Sequence, residues 1–271
     1  MPREHRTRAL VLRSFDQNES DRLLHLYTED LGRVSAIAKG ARRSRRRFPG
    51  ALELFSLIEV RLVAPPRSLL MRLEAARVAQ AFEGLTGDLG RFAIACQFVE
   101  LLDRLTAEGD AHPELFGFAV GVLDVLRSER PDRLLALLVL LKTLARLGYR
   151  PQLGACAVCG AGLGASTSAF SARHGGALCP VCAPAGGTAV PTALLGALER
   201  GLRSPLRERA ALALEPDAVL RAQRLLGDFF RFHVGFEPRS AGFLELALAR
   251  VDGPPAPRNT PRARATGVPL R

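Results

Sequence analysis

The chain has no long apolar run. Its longest, Leu134 to Leu141, is eight residues. A membrane span needs about twenty, so this stretch is expected to be a buried helix. The opening residues, MPREHRTRALVLRSF, hold no apolar core of the length a secretory signal uses, and a cytoplasmic protein is expected. Catalytic signatures are missing too. There is no G-x-x-x-x-G-K followed by Ser or Thr, no H-E-x-x-H and no G-x-S-x-G. The segment GAGLG at 160–164 resembles a dinucleotide fingerprint, but it lies between two cysteine pairs and does not follow a strand. The acids Glu19/Asp21 and Glu29/Asp30 fall at hairpin turns and read as solvated turn residues. Five histidines without a base–nucleophile pair complete the case against an enzyme. Lysine is nearly absent: Lys39 and Lys142 are the only two, and the other 36 of 38 cations are arginine. A coding bias toward Arg would explain that by itself. Arginine also forks onto phosphates and stacks on bases, which lysine does not.

What is present is a soluble, globular composition with a strong charge. Of 271 residues, 48% are apolar and 24% charged, enough for a full core and, by length, about two domains. The formal net charge is +11 and the pI near 10.7. That points to polyanionic partners, nucleic acid ahead of an anionic membrane. The charge is uneven. Residues 1–80 carry 16 Lys/Arg against 9 Asp/Glu, residues 81–251 carry 18 against 17, and residues 252–271 carry 4 against 1. A polyanion site is therefore expected in the first 80 residues, helped by the tail.

The expected fold class is α+β and multidomain. Five short segments rich in Leu, Val and Ile (7–15, 21–28, 33–40, 52–63 and 68–78) are separated by turn formers. In the fourth, Ile58, Val60 and Leu62 face one way and Glu59 and Arg61 the other, the period of a half-buried strand. Five strands with little helix fit the oligonucleotide-binding (OB) barrel, expected over 1–80. From 81 to 251 the period becomes helical, with helices expected at 91–109, 114–129, 132–148, 191–203, 216–235 and 240–250. The third is apolar almost all round and should lie at the centre of a bundle. A disordered basic tail is expected over 252–271, which has five prolines and almost no large apolar residue.

Cys156, Cys159, Cys179 and Cys182 are spaced C-x2-C, nineteen residues, C-x2-C. Each pair puts two thiolates on one tight turn, and Gly160 stands where the backbone must fold under a metal. Four thiolates suit Zn²⁺, and a sphere closed by four cysteines makes the ion structural. One Zn²⁺ per chain is expected, in a ribbon over about 150–188 that caps the helices. His174 has the wrong spacing for a ligand pair and reads as a loop histidine. Cys96, on an apolar helical face, reads as core.

The densest charge is AKGARRSRRRF, residues 38–48, which contains no acid. In many proteins such a run is only a solvated loop. Here it lies between two expected barrel strands, in the part of the chain that holds most of the charge. Phe48, Tyr27 and Phe55 offer aromatic rings for base stacking, although Phe55 fits a core position equally well.

The order of these features resembles the family of the bacterial recombination mediator RecO. The resemblance rests on E-x-D at 19–21, T-E-x-L-G at 28–32, K-G-A-R-R at 39–43 and a zinc ribbon set among helices, and it covers about residues 5–250. It implies binding of single-stranded and double-stranded DNA, annealing of complementary strands, and action with RecR to load RecA onto strands coated by single-stranded DNA-binding protein (SSB). Matching K-G-A-R-R gives Lys39, Arg42 and Arg43 as DNA-binding residues; charge alone adds Arg45, Arg46 and Arg47. The four cysteines carry over as zinc ligands. In RecO-like proteins the helical domain also offers a site for the acidic, Phe-containing C-terminal tail of SSB. Here residues 91–148 would supply its apolar wall, and Arg104, Arg127, Arg130, Lys142 and Arg146 are candidate rim cations. The expected location is cytoplasmic and nucleoid-associated, with no membrane partner. Two other classes fit the same features: an RNA-binding OB and zinc-ribbon protein of translation or ribosome assembly, and a nucleic-acid-modifying enzyme.

Overall fold

A computed structural model describes residues 3–252 apart from 45 and 66–69. Arg45, the start of the expected fifth strand and the expected tail beyond 252 lie outside the described residues. Five strands, β1 (Arg3–Gln17), β2 (Asp21–Thr28), β3 (Gly32–Ala38), β4 (Leu57–Ala64) and β5 (Met71–Gln80), close into a barrel in the order β1-β2-β3-β5-β4. The β3–β5 pair is parallel; the other pairs are antiparallel. This is the five-stranded OB-type arrangement expected. The strands form because their apolar residues recur every second position, so one face fills the barrel. β3 alternates buried and half-buried along its whole length.

β1 is long because it serves two partners. Its first half pairs with β4 and its second with β2, with a bulge between Val11 and Arg13. Ala9 and Val11 enter the barrel core, whereas Leu10 and Leu12 join the core of the helices.

The fourth strand starts at Leu57 and not at residue 52. Residues 39–44 and 46–56 form successive turns that fold back over the barrel, and Phe48, Ala51 and Leu52 are buried within it. Phe55 takes a left-handed backbone (φ +70°) that ends this plug before the strand begins. Periodicity cannot distinguish such a plug from a strand, since both bury Leu and Phe.

Among the described residues six α-helices follow: α1 (Leu89–Leu105), α2 (Pro113–Ser128), α3 (Arg133–Arg146), α4 (Thr192–Arg203), α5 (Pro216–Val234) and α6 (Ala241–Asp252). Asp88 and Asp132 cap α1 and α3, accepting the N–H groups of Arg91 (2.9 Å) and Leu135 (2.6 Å). Only Arg146 of α3 is exposed, and this helix packs on α1, α4 and α5 as its apolar circumference requires. α6 is held at its start by Glu100 of α1, which accepts the N–H groups of Arg239 (2.8 Å) and Ser240 (3.0 Å) and the Ser240 hydroxyl (2.7 Å). Burial alone would raise the Glu100 pKa; these bonds and Arg104 lower it. Between α3 and α4 lies a three-stranded sheet in the order β7 (Gly176–Leu178), β6 (Thr167–Ser171), β8 (Thr188–Pro191). Phe170 of this ribbon packs near Phe229 of α5, and His233 bonds the Ala172 carbonyl (2.8 Å).

Barrel and helices share one core. Leu10, Leu12, Tyr27, Phe55 and Leu57 cluster with residues of all six helices. A polar seam runs beside it. Asp103 of α1, nearly buried, meets His25 (2.8 Å), Arg13 (3.5 Å) and Arg33 (4.0 Å) from three strands. Glu108 takes Arg33 (3.3 Å) and Ser35 (3.1 Å). The closest approach is at Gly32, where a Cβ would sit 2.1 Å from the Asp110 carbonyl oxygen on a backbone with φ +63°. Gly32→Ala should therefore destabilise by about 2–4 kcal/mol. Gly50→Ala, at nearly the same φ but in open space, should lose only about 1 kcal/mol. Equal losses in chemical denaturation of the two variants would show that the close approach does not matter.

Candidate nucleic-acid interface and metal centre

The basic loop is tied to the hairpin between β1 and β2. Asp21 accepts the N–H of Gly40 (2.8 Å) and the hydroxyl of Ser20 (3.1 Å), and the Arg42 N–H donates to the Ser20 carbonyl (3.0 Å). The Gly40 N–H is the main cause of a lowered Asp21 pKa. Two short stretches of sequence, E-x-D and K-G-A-R-R, are thus the two halves of one latch.

Lys39, Arg42, Arg43, Arg46 and Arg47 are all exposed, but they do not converge. Arg42 and Arg43 lean toward Asp16 (3.8 Å) and Glu19 (4.0 Å). Arg47 folds back to the Lys39 carbonyl (2.5 Å) and lies over the Phe48 ring at 5.0 Å. Lys39 and Arg46 form no ion pair among the described residues.

Arg46 and Arg47 edge a groove of about 740 Å³ on the outer face of β1, β4 and β5, floored by Arg6, Arg8, Arg61 and Arg77. Arg6 and Arg61 are directly opposite across the β1–β4 pair, as are Arg8 and Glu59. Most of these charges are engaged: Arg8 with Glu29 (2.6 and 2.8 Å), Arg77 with Glu59 (2.6 Å), Arg6 and Arg61 with Glu4 (3.2 and 3.5 Å). The four strand arginines escaped the reading of the sequence, which weighed charge only where it was contiguous. Their signal is the polar half of the strand period, Arg6-x-Arg8 and Glu59-x-Arg61.

The three aromatic rings expected to stack on bases do not face solvent. Tyr27, Phe48 and Phe55 are all buried in the two cores, where no base reaches them. Burial, with the negative charge of Asp110, pushes the Tyr27 phenol up to about 12.

The four cysteine sulfurs of the ribbon lie within 4.8 Å of one another. Gly160 bends the first knuckle at φ +73° and returns its N–H to the Cys156 carbonyl (2.9 Å), while Cys182 and Ala183 return theirs to the Cys179 carbonyl (3.0 and 2.9 Å). N–H groups of Cys159, Cys179 and Val158 hold the Cys156 thiol down to about 6. Its hydrogen bond with Cys159, burial and the charge on Cys156 push Cys182 up to about 12. Four sulfurs this close share protons unless a cation replaces them, so the cluster could hold a metal. His174 bonds Ser171 (2.9 Å) and stands outside the set. Cys96, half-buried, has its thiol pushed up to about 11 by burial and Glu100, as an unreactive core cysteine should.

A cleft of about 510 Å³ lies between α2, α3 and the end of α4, walled by Phe118, Val122, Val125, Leu202 and Leu206 and rimmed by Lys142, Arg146, Arg150 and Arg203. Lys142 donates to the Leu202 carbonyl (2.8 Å), and burial, then Arg146, lowers its pKa. Arg104 and Arg127 are not at this rim. Arg104 covers the Phe236 ring at 3.5 Å and Arg127 pairs with Asp124 (2.8 Å). Arg130 is absent from the rim as well.

The family model for "Recombination protein O N terminal" matches residues 1–82, and that for "Recombination protein O C terminal" matches residues 86–241. The chain belongs to the recombination protein O (RecO) family. It is 40% identical over 238 residues to the DNA repair protein RecO of Anaeromyxobacter sp. (strain K), covering 87% of this chain and 94% of that one. It is 37% identical to the DNA repair protein RecO of Myxococcus xanthus (strain DK1622), covering 87% and 95%. It is 33% identical to that of Syntrophobacter fumaroxidans, covering 89% and 97%. The RecO family places the chain in DNA repair and recombination. The motifs that suggested the family are the contacts described above: T-E-x-L-G supplies Thr28, whose hydroxyl closes the turn on the Gly32 carbonyl (2.8 Å), Glu29, which holds Arg8, and Gly32 itself. Among the described residues no helix is long and apolar enough to cross a membrane.

If Asp21 holds the basic loop, Asp21→Ala should free it. Without that carboxylate the Gly40 N–H loses its acceptor, so limited trypsin digestion should cut after Arg42 and Arg43 several-fold faster. Digestion at the wild-type rate would show that the turn holds without the latch.

Proposed function

We propose that the chain is a recombination mediator. It binds single-stranded and double-stranded DNA, anneals complementary strands, and acts with RecR to load RecA onto DNA coated with SSB. The observation that carries this reading is the basic loop beside an arginine-floored groove, in a chain of the RecO family. Residues 1–80 would serve as the nucleic-acid-binding domain, residues 81–251 as the helical domain with its ribbon, and the tail as an added basic segment. A cytoplasmic, nucleoid-associated location follows from that role.

Lys39, Arg42, Arg43, Arg45, Arg46 and Arg47 are the DNA-binding residues of this reading, and Arg6 and Arg61 extend them into the groove. Annealing needs no bond chemistry. Two complementary strands repel through their phosphates, and a cationic surface that holds both lowers the repulsion and raises their local concentration. Phosphate contacts carry no base information, so binding is tolerant of sequence. The groove arginines exchange Glu29, Glu59 and Glu4 for phosphates on binding, which keeps a lone polyanion from being held too tightly to pair. The cleft ringed by Lys142, Arg146, Arg150 and Arg203 suits the acidic, Phe-containing SSB tail, with an apolar slot for the ring and cations for the carboxylates. Two of those four, Lys142 and Arg146, are among the cations expected from the sequence.

Replacing Arg42, Arg43, Arg45, Arg46 and Arg47 with Ala should weaken single-stranded DNA binding and leave the fold intact. At about 0.7 per phosphate contact, the slope of log affinity against log salt should fall by roughly 3 to 4. An unchanged slope would leave the loop as solvated surface.

For the ribbon the proposed ion is Zn²⁺. The 3.7 Å between the sulfurs of Cys159 and Cys179 matches the edge of about 3.8 Å that a tetrahedron with Zn–S near 2.3 Å requires. With four thiolates its sphere is closed, and it would hold the knuckles together without touching DNA. One zinc per chain is expected by metal analysis of protein purified without chelator, and Cys179→Ala should lose it while the barrel keeps its far-UV signal. Metal-free protein with an ordered ribbon would refute this.

A further inference from the structure

The barrel presents a second outer face, away from the arginine groove, that none of the assignments above uses. Across β1, β2, β3 and β5, Phe15 stands opposite Leu23, Leu23 opposite Ile37, and Ile37 opposite Arg72. Opposed residues share a face, so these four form one row, roughly 14 Å long at three strand spacings. One step along the strands, Arg13, His25 and Ser35 form the next row. That row is tied to the helices through Asp103 and Glu108. In the first row Phe15 is 41% exposed, and Leu23 and Ile37 are half-buried and belong to neither apolar core among the described residues.

Phe15 is held in place. The His25 ring meets it edge-on at 5.8 Å, and His25 is fixed by Asp103 at 2.8 Å. The Arg13 guanidinium lies 5.0 Å from the Phe15 ring centre. Beyond Phe15 and Leu23 the β1–β2 hairpin turns at Ser20 and Asp21, the residues that latch the basic loop, and Arg42 reaches Asp16, the chain neighbour of Phe15, at 3.8 Å; at the β5 end of the row Arg72 pairs with Glu74. An exposed apolar row with an oriented aromatic, Arg13 over its ring and the basic loop latched beside its hairpin is complementary to a flexible polyanion with flat apolar faces.

We propose that this row is a nucleobase-stacking platform for single-stranded DNA, with Phe15 as the stacking residue. It is separate from the groove, which meets phosphates only. The inference rests on the nucleic-acid reading of the barrel and adds to it. Bases lie on the β1–β2–β3 face while the loop takes their backbone, and duplex DNA, with its bases already stacked, has no use for this face. Base–aromatic stacking of this kind tolerates any sequence.

The chain has no tryptophan, so Phe15→Trp gives a single reporter at the site. The test uses an oligothymidylate and an abasic phosphodiester of the same length. Phe15→Trp emission should be quenched by the first and not by the second. Phe15→Ala should bind the oligothymidylate roughly fivefold or more weakly and bind the abasic strand, with the same salt slope, as the wild type does. Unquenched emission at saturating oligothymidylate would overturn the platform, and so would a Phe15→Ala loss that is nil or equal on both strands. In those cases the wild-type chain still binds, and the row is a surface for a protein partner. If the wild-type chain binds neither strand at low salt, the nucleic-acid reading of the barrel falls and the platform with it.

Discussion

Asp103 is a buried carboxylate that receives cations or imidazole from three different strands. A carboxylate taken out of water without partners costs several kcal/mol, so the helix that carries it can settle only where Arg13, His25 and Arg33 arrive together. They arrive together because the register of β1, β2 and β3 places them on one outer face. The apolar contacts of Tyr27, Leu10 and Leu12 with the helices are non-directional and would tolerate a slide; the seam at Asp103 and the tight approach at Gly32 would not. Both surfaces of the barrel take their limits from this docking. The helices cover one part of the β1–β2–β3 face and leave the rest, with Phe15, open.

Much of this was legible in the sequence because it is written locally. The five strands, the six helices and the cysteine knuckles each follow from spacing within a few residues. The four-cysteine cluster needed only that two such knuckles meet. What was not legible depends on distant pairing. Residues 52–56 satisfy a strand pattern but form a plug, since burial of Leu52 and Phe55 says nothing about which wall they enter. Tyr27, Phe48 and Phe55 looked available for stacking because aromaticity is visible and burial is not. The groove arginines are scattered over β1, β4 and β5 and become neighbours only through register. Arg104 and Arg127 shared a sequence neighbourhood with Lys142 and Arg146 yet face elsewhere, Arg104 onto Phe236 and Arg127 onto Asp124.

The charge of the first 80 residues is less free than its 16 cations against 9 acids suggest. Arg8, Arg61 and Arg77 are neutralised in place by Glu29, Glu4 and Glu59, while Lys39 and Arg46 are not paired with acids among the described residues. A phosphate chain reaching the barrel meets the unpaired charges first and the paired ones only by displacing a carboxylate. Such exposed pairs are worth about 0.2–1 kcal/mol each, so the exchange is close to neutral. On the proposed reading the surface would bind a polyanion without holding it irreversibly.

The shared core has a bearing on how this chain can be divided. The two family models meet between residues 82 and 86, in the turns that lead into α1. At that point the barrel has already committed Leu10, Leu12, Tyr27, Phe55 and Leu57 to a core it does not own. Severed there, it would present these five side chains to water as a contiguous oily face, next to three cationic or imidazole groups whose buried acid had gone. The junction is a boundary of the chain but not of the interior.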